Sequence, residues 1–441
     1  MSGQPPGWAK VTLGALTAQT RPICYGVLKP GPFDPTGVPL LRIQDLVSNR
    51  VADGGFHYIS RQLDAEFHRS RLKGGEVLLS IQGTIGRTAL VPARLAQANI
   101  SRTLAVIQPD DSVIAAFLYF YFQYLASTQA YETGGTTRAS LNISTIREMT
   151  LPVPPRAEQE RIVAAIEEQF SRIDAGVAPL DRVRQNLRRM RATVLERPYE
   201  RIPADKWVPL MSVGRIVTGN TPDTKIPANY GGDLPFVTPT DFNHGDRVTA
   251  APRGLTDRGR NRARSLPQGA VLATCIGATL GKVALADAPC ATNQQINAVC
   301  PNEEVTPAYL FYCLLRPSFT RAMWRAASST TMPIINKSRF SRLTVPVVPA
   351  GHQGAIVAEI EEGLQRVDHL VLEVDTAFAR TASLRSAILA SAFSGKLVPQ
   401  DPSEQPATAL LETIAAERAS SNGYKTTPGS KPRTPGPKVL A

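Results

Sequence analysis

Two stretches of the chain repeat apolar side chains at a helical interval for far longer than an ordinary globular helix does. Ile166, Ile173, Leu180, Leu187 and Val194 recur every seven residues, and Phe170 and Val177 fill the alternate seam until Arg184 and Arg191 take it over. In the second stretch Ile360, Val367, Val374 and Ile388 share one seam, interrupted by Thr381, while Leu364, Val371 and Phe378 occupy the other. Heptads sustained over about four repeats predict a coiled coil. Both stretches lie in one chain, so the simplest partner for each helix is the other. A helix from Ala157 to Glu196 would be roughly 60 Å long at ~1.5 Å per residue, which makes the pair a stiff spacer. Gly176 and Pro179 predict a kink in the first helix only, because an interior proline removes a hydrogen bond and crowds the preceding turn. Their counterparts in the second are Leu370 and Glu373.

The remaining chain reads differently. Short β-branched runs bounded by Gly and Pro, such as Val77 to Ile81 and Val271 to Ile276, predict strands. Asp111-Ser112 and Thr306-Pro307 are expected helix starts, a cap residue followed in the second case by a tolerated early proline. The aromatics of those helices, Phe117, Tyr119, Tyr309 and Phe311, are assigned to the core rather than to base stacking. PATALLETIAAERAS predicts one short amphipathic helix, and KTTPGSKPRTPGPK a disordered basic end.

The chain also repeats itself. LPVPPRAEQERIVAAIEEQFSRID from Leu151 and VPVVPAGHQGAIVAEIEEGLQRVD from Val345 lie 194 residues apart and agree at 12 of 24 positions. Trp8 is answered by Trp207, and PLLRIQDL by LPFVTPTDF, with Asp45 opposite Asp241. GEVLLSIQGTIGRTAL from Gly75 is answered by GAVLATCIGATLGKVAL from Gly269, and TTRASLNIS by TTMPIINKS. The order is the same in both halves. At 441 residues the chain exceeds what one hydrophobic core usually serves. The expected fold is α+β: two mixed α/β domains separated by two long antiparallel helices in a coiled coil, with a pseudo-twofold internal repeat. The expected boundaries are residues 1–155, first domain; 156–197, first long helix; 198–206, linker; 207–349, second domain; 350–395, second long helix; and 396–441, tail.

Charge adds a direction. The net charge is +12, and residues 1–155 and 207–349 hold +4 and +7 of it, so an acidic partner would meet the mixed domains rather than the helices. The five cysteines include no C-x-x-C pair and are read as reduced packing residues of a cytoplasmic protein. MSGQPPGWAK lacks the pattern of a signal peptide, and VIAAFLYFYFQYLA is too short and too aromatic to span a bilayer, so no membrane partner is expected.

Several chemistries are excluded by spacing. GATLGKV around Lys282 resembles a phosphate-binding loop, but its glycine spacing is one residue short and Val283 stands where Ser or Thr is required. Its repeat partner GTIGRT makes it a strand turn. The five histidines form no H-E-x-x-H or zinc-like group, so no metal site is expected. No G-x-S-x-G elbow, no dinucleotide fingerprint and no Asn/Asp-Pro-Pro-aromatic motif appears, and no catalytic residue is assigned.

The tandem arrangement of mixed domain and helix, with TGNTPDTKIPANYGGDLPFVTPTDF opening the second domain and LPVPPRAEQERIVAAIEEQFSRID opening the helix, resembles the specificity subunit of type I restriction-modification systems. The likeness runs from about residue 8 to 420, and YGVLKPGPFDPTGVPLLRIQDL is similar to the family's other common domain opening. The resemblance implies a non-catalytic, sequence-specific subunit whose two target-recognition domains each read half of a split site in double-stranded DNA. It also implies that the paired helices dock two methyltransferase subunits, with endonuclease/translocase subunits joining. S-adenosylmethionine, ATP and magnesium would then belong to those partners, and this chain would need no cofactor. Two basic domains on a stiff spacer suit half-sites about one helical turn, ~34–36 Å, apart. Related but unlike readers predict an asymmetric site.

Base edges are read by Arg, Lys, Asn, Gln, Ser or Thr on exposed loops. The candidates at matching places are Arg42 and Gln44 with Thr238 and Thr240; Thr84 and Arg87 with Thr279 and Lys282; and Thr136, Thr137 and Arg138 with Thr330 and Thr331. The TGNTPDTK loop adds Thr218, Asn220, Thr221 and Lys225. Arg258, Arg260 and Arg262, with Arg264, are either a solvated helix face or phosphate contacts. Arg182, Arg184, Arg188, Arg189 and Arg191 are assigned to solvation or subunit docking. Spacer or docking candidates are Ile166, Phe170, Ile173, Ile360, Leu364 and Val367, with Glu167 and Glu361 off the seam. Glu167, Glu168, Arg172 and Asp174 recur at 361, 362, 366 and 368, which fits a common partner surface or a retained solvated face. The competing readings are a protein-binding scaffold without DNA specificity and a stand-alone enzyme.

Overall fold

The structure, a computed structural model, describes residues 5–131, 140–328 and 332–423. It divides into two units, Met1–Val177 with Phe378–Ala441, and Ala178–Ala377.

In the first unit the wholly buried strand Val77–Ser80 sits inside a four-stranded antiparallel sheet ordered Cys24–Tyr25, Leu104–Ile107, Val77–Ser80, Thr88–Leu90. A run of apolar residues with both faces covered is what keeps the alternation of an exposed strand out of VLLS. A second sheet places Val38–Leu41 between antiparallel His57–Ile59 and parallel Asn99–Ile100. Helix Ala115–Ser127 packs on the first sheet, and a ribbon of Ala9–Thr12 with Thr150–Val153 leads into the first long helix.

The second unit repeats this plan within itself. Its first sheet runs Gly214–Thr218, Ile296–Pro301, Val271–Thr274, Val283–Ala286, then an added edge strand Asp246–Val248. Tyr230–Val237 lies between antiparallel Gly254–Leu255 and parallel Cys290–Thr292, and Ser265–Leu266 completes that sheet. Helix Pro307–Leu315 and the ribbon Trp207–Pro209 with Thr344–Pro346 complete the match. Even the register agrees, since Leu104 faces Ser80 and Ile296 faces Thr274.

The expected strands at Val77 and Val271 form, and GATLGKV is a turn between antiparallel strands. Phe117, Tyr309 and Phe311 are buried, and half-buried Tyr119 donates its hydroxyl to the Asn49 carbonyl. Thr306 caps its helix, accepting the Tyr309 N–H, with Pro307 in the first turn. The expected start at Asp111-Ser112 is wrong. The helix begins at Ala115, and Ser112 is occupied in a turn with Asp110. The N–H of Ile114, the residue before the helix, is held by Gln159 of the long helix at 2.9 Å, and no side chain caps the first turn.

The long helices run Arg156–Glu200 and Ala350–Phe393, the first without a break through Pro179 and Pro198. Buried Leu195 and Tyr199 keep its last turns in the core of the second unit. In each unit the two helices meet antiparallel. In the first, Arg385 pairs with Asp174 and lies 4.7 Å from the centre of the Phe170 ring, and Arg161 pairs with Glu404 in the segment beyond the second helix. In the second, Arg184 reaches Asp375 at 2.6 Å and Arg191 reaches Asp368 at 2.5 Å. A Cβ on Gly363 would stand 2.7 Å from Val194, so this glycine sets how closely the helices approach.

These contacts add to the expectations. Arg184 and Arg191 stay part-exposed, and each is paired with an aspartate of the other helix. The recurring charges divide likewise. Arg172 bonds Glu168 and Arg366 bonds Glu362, both at 2.6 Å along one helix, while Asp174 and Asp368 clasp the opposite helix. Ile166, Phe170, Ile360, Leu364 and Val367 are buried within their own units, which suits a spacer and removes them as docking contacts. Ile173 is half-buried. Residues Ala407–Gly423 form the expected C-terminal helix, and the basic end lies outside the described residues.

Candidate nucleic-acid interface

Backbone hydrogen bonds bind the same loops together in each unit. In the first, the Ser101 N–H reaches the Leu41 carbonyl, Ile81 reaches Thr103 and Leu141 reaches Ile81, all at 2.9 Å. In the second, Asn293 reaches Val237 at 3.2 Å, Cys275 reaches Gln295 at 2.8 Å and Ile335 reaches Cys275 at 2.9 Å. Loops that a sequence places up to a hundred residues apart are therefore tied into one edge, and those of the matched candidates among the described residues lie along it.

Asp45 and Asp241, aligned in the repeat, do the same work. Asp45 accepts the Arg42 N–H at 2.7 Å, and Asp241 accepts both the N–H and the hydroxyl of Thr238 at 2.6 Å. The Arg42 guanidinium also folds back to Asp45, and Thr238 is buried, so both are loop staples first. Gln44 and Thr240 remain exposed. In the next loop the hydroxyls of Ser80 and Thr274 donate to the carbonyls of Thr84 and Thr279 and accept the N–H of Arg87 and Lys282. The Arg87 side chain then reaches the carbonyls of Ile43 and Leu46 at 3.4 and 3.3 Å, and Lys282 that of Phe242 at 3.5 Å. Those cations brace one loop against another.

The structure joins TGNTPDTK to the arginine run. Asn220 donates to the Arg262 carbonyl at 2.6 Å and accepts the Arg264 N–H at 2.8 Å, while Arg264 donates to the Thr218 carbonyl at 2.8 Å. Thr218 bonds Asn297, Thr221 bonds Gln294, and the Lys225 N–H closes a turn on Asp223. Gly219 has no room for a side chain, since a Cβ would lie 2.2 Å from the Asn293 carbonyl oxygen. The arginine run is not one helix face. Only Asp257–Arg260 is helical, and Arg262 follows in a turn. Arg258, Arg260 and Arg262 are exposed and form no ion pair with a described carboxylate. Thr136, Thr137, Arg138, Thr330 and Thr331 lie outside the described residues.

Some of what positions the interface has no signal in the sequence pattern. Gln159 and Gln353, shared by the two helix openings, are fully buried connectors between long helix and domain. In the first unit a cleft of about 890 Å³ is lined by Asn49, Arg50, Gln123, Glu167, Phe170 and Asp174, and Gln123 leaves its buried Nε2 without a partner. Its loop carries Ser48 and Asn49 in the left-handed region, at φ of 49° and 60°. Glu167 is exposed at this cleft, while half-buried Glu361 accepts the Tyr312 hydroxyl at 3.2 Å.

Burial pushes the Cys275, Cys290 and Cys313 thiols up to about 12, so they stay protonated as packing groups. His244 is the titrating exception near the interface. Its Nδ1 accepts the Val283 N–H at 3.2 Å, which fixes the neutral tautomer. Desolvation of the ring nitrogens lowers its pKa, aided by the positive charges of Arg191 and Lys282, while the carbonyls of Leu315 and Gly281 pull the other way. A histidine with a depressed folded pKa contributes stability above its unfolded value near 6.5 that is lost as pH falls through the folded value. The second unit is therefore expected to weaken on acidification below about pH 6.5. His244→Asn should flatten that dependence, as followed by denaturation at pH 7 and at lower pH; an unchanged slope would show that His244 is not responsible.

Among the described residues no cluster of His, Cys, Asp or Glu could hold a metal, and no helix is long and apolar enough to cross a membrane. The family described as Type I restriction modification DNA specificity domain matches residues 34–175 and 205–369, one match in each repeat, and the chain belongs to that family. It is 26% identical to the EcoDI specificity subunit of Escherichia coli over 369 residues, 74% of this chain and 82% of that one. With the EcoKI specificity subunit of Escherichia coli K12 it shares 22% over 459 residues, 96% of this chain and 97% of that one. The alignment to the Escherichia coli EcoBI specificity subunit, at 28%, spans 39% of this chain and about a third, 36%, of that subunit. A solved chain from a type I R-M system, reported for complex assembly and conformational transition, superposes with a TM-score of 0.67 at 22% identity, covering 90% of this chain and 100% of that one. The likeness extends to two domains of mixed α/β content, each followed in the chain by a long helix.

Proposed function

We propose that this chain is the sequence-reading, non-catalytic subunit of a type I restriction-modification complex and binds an asymmetric split site in double-stranded DNA. The observation that carries the reading is the repeated loop edge: the two units share a core strand order and the same backbone ties, yet present different side chains. Residues 1–155 and 207–349 are the two readers. The long helices act as an antiparallel coiled-coil spacer within a pseudo-twofold repeat, and two methyltransferase subunits dock on their exposed faces, Glu167 among them. Endonuclease/translocase subunits complete the complex, and S-adenosylmethionine, ATP and magnesium are held by those partners in the cytoplasm.

Gln44, Thr84, Thr240 and Thr279 stand where they can reach base edges, whereas exposed Arg258, Arg260 and Arg262 fit phosphates, which position a protein without specifying sequence. The scaffold reading is less supported, because the net charge collects in the two domains that carry the repeated loops. Exchange of residues 1–150 for the equivalent domain of a relative, in the complex with modification subunits, is expected to change one half of the methylated site and leave the other. A change in both halves, or no duplex preference in the assembled complex, would overturn this division.

A further inference from the structure

Most cationic and amide side chains along the loop edge are already occupied, which narrows what can read a base. Arg42 is folded onto Asp45, Arg87 and Lys282 onto carbonyls, and Asn220 onto the arginine loop. The loops 101–103 and 293–295 are different. Each lies between two backbone ties, Ser101 to Leu41 and Ile81 to Thr103 in the first unit, Asn293 to Val237 and Cys275 to Gln295 in the second. Each is also closed on itself by its outer residues: the Ser101 and Thr103 hydroxyls stand 2.7 Å apart, and Asn293 bonds Gln295 twice, at 3.1 Å.

The middle residue is thereby fixed in its backbone and exposed in its side chain. It is Arg102 in one unit and Gln294 in the other. The Arg102 N–H is held by the Val27 carbonyl at 2.9 Å, while its guanidinium has no hydrogen-bond or ion-pair partner among the described residues. Gln294 accepts the Thr221 hydroxyl at 2.7 Å, which orients its amide and leaves the Nε2 hydrogens and one Oε1 lone pair free. A long polar side chain on an immobilised backbone loses little entropy on contact, which is what discrimination between base pairs requires.

We infer that Arg102 and Gln294 are paired specificity-determining residues, each reading a base edge in the major groove of its own half-site. This rests on the DNA-reading role proposed above. A guanidinium has donors only and matches the O6 and N7 acceptors of guanine, whereas a carboxamide offers a donor and an acceptor and matches N7 and N6 of adenine. One structural position thus carries two chemistries, and the split site differs between halves because of it.

The test uses the full chain assembled with its modification subunits, and maps methylated sites in a randomised duplex library. Arg102→Ala should relax one guanine position in one half-site by about ten- to a hundredfold and leave the other half intact, with Gln294→Ala doing the same at one adenine position of the other half. Arg102→Lys should keep part of the guanine preference. Should an alanine variant fail to assemble, Arg102→Gln is measured in its place and must shift preference at that single position. Variants that retain the wild-type motif at every position, or that lose methylation uniformly across sequences, overturn the assignment. A wild-type complex that methylates no split site would instead overturn the function on which it rests.

Discussion

Glu76→Ala is expected to destabilise the first unit by about 3–5 kcal/mol, the usual consequence of stranding one member of a buried ion pair. Glu76 is fully buried and pairs with Arg21, which is itself buried and whose other terminal nitrogen donates to the Arg71 carbonyl. The carboxylate also accepts the Lys73 and Gly74 N–H groups at 2.6 and 2.7 Å, holding a turn in which Gly74 and Gly75 take φ of 93° and 85°. The second unit has Ala270 at the corresponding place beside Gly269, but there Pro267 stands opposite Lys73 and has no N–H for a carboxylate to accept. What alanine cannot do is neutralise Arg21. Replacing both partners, Arg21→Met with Glu76→Leu, should recover the part of the loss that comes from the stranded charge, while the Lys73 and Gly74 N–H groups still lose their acceptor. Urea denaturation, with hydrogen exchange at Leu78 and Leu79, measures both. A loss under about 1 kcal/mol in the single variant would show that Arg21 reaches water.

How much of this was legible beforehand follows from how far each cause lies along the chain. The heptad seams, the Val77 and Val271 strands and the Thr306 cap depend on neighbours within a turn or a strand, and the pattern of residues displays them. Duplicated order also displays equivalent parts, so Asp45 and Asp241 could be aligned before their shared role was visible. The helix start in the first unit departs from the local pattern, because no side chain caps it and the Ile114 N–H before it is held by Gln159, 45 residues away. The pairing of Arg184 and Arg191 is hidden for the same reason, since Asp375 and Asp368 lie on the other helix. At the loop edge the sequence shows which side chains are polar but not which are used. Arg87 serves the carbonyls of Ile43 and Leu46, whereas Arg102 serves none among the described residues, and only the fold separates them. Identity at Gln159 and Gln353 was visible in the shared helix opening, yet the heptad frame gives those positions no purpose.

Their purpose yields the second large effect. Gln353→Ala and Gln159→Ala are each expected to cost about 3 kcal/mol or more, since every truncation leaves one N–H and two carbonyls unpaired, at roughly 1–3 kcal/mol per buried group. Gln353 accepts the Thr306 N–H at 2.8 Å and donates to the carbonyls of Glu304 and Val348 at 2.7 and 2.9 Å. Gln159 repeats this with Ile114 at 2.9 Å and with Ser112 and Pro154 at 2.9 and 3.1 Å. A glutamine is required because the same side chain must accept once and donate twice. Gln353→Glu keeps the shape and the acceptor but turns an oxygen onto two carbonyls, so it should be destabilising at pH 7. Its folded pKa is then raised above the unfolded value, and stability should return on acidification as the protonated carboxyl regains one donor. Amide exchange at Thr306 and Ile114 reports each connector separately. If those amides stay protected in the alanine variants, another group supplies the acceptor, and the connectors are not what joins each long helix to its recognition domain.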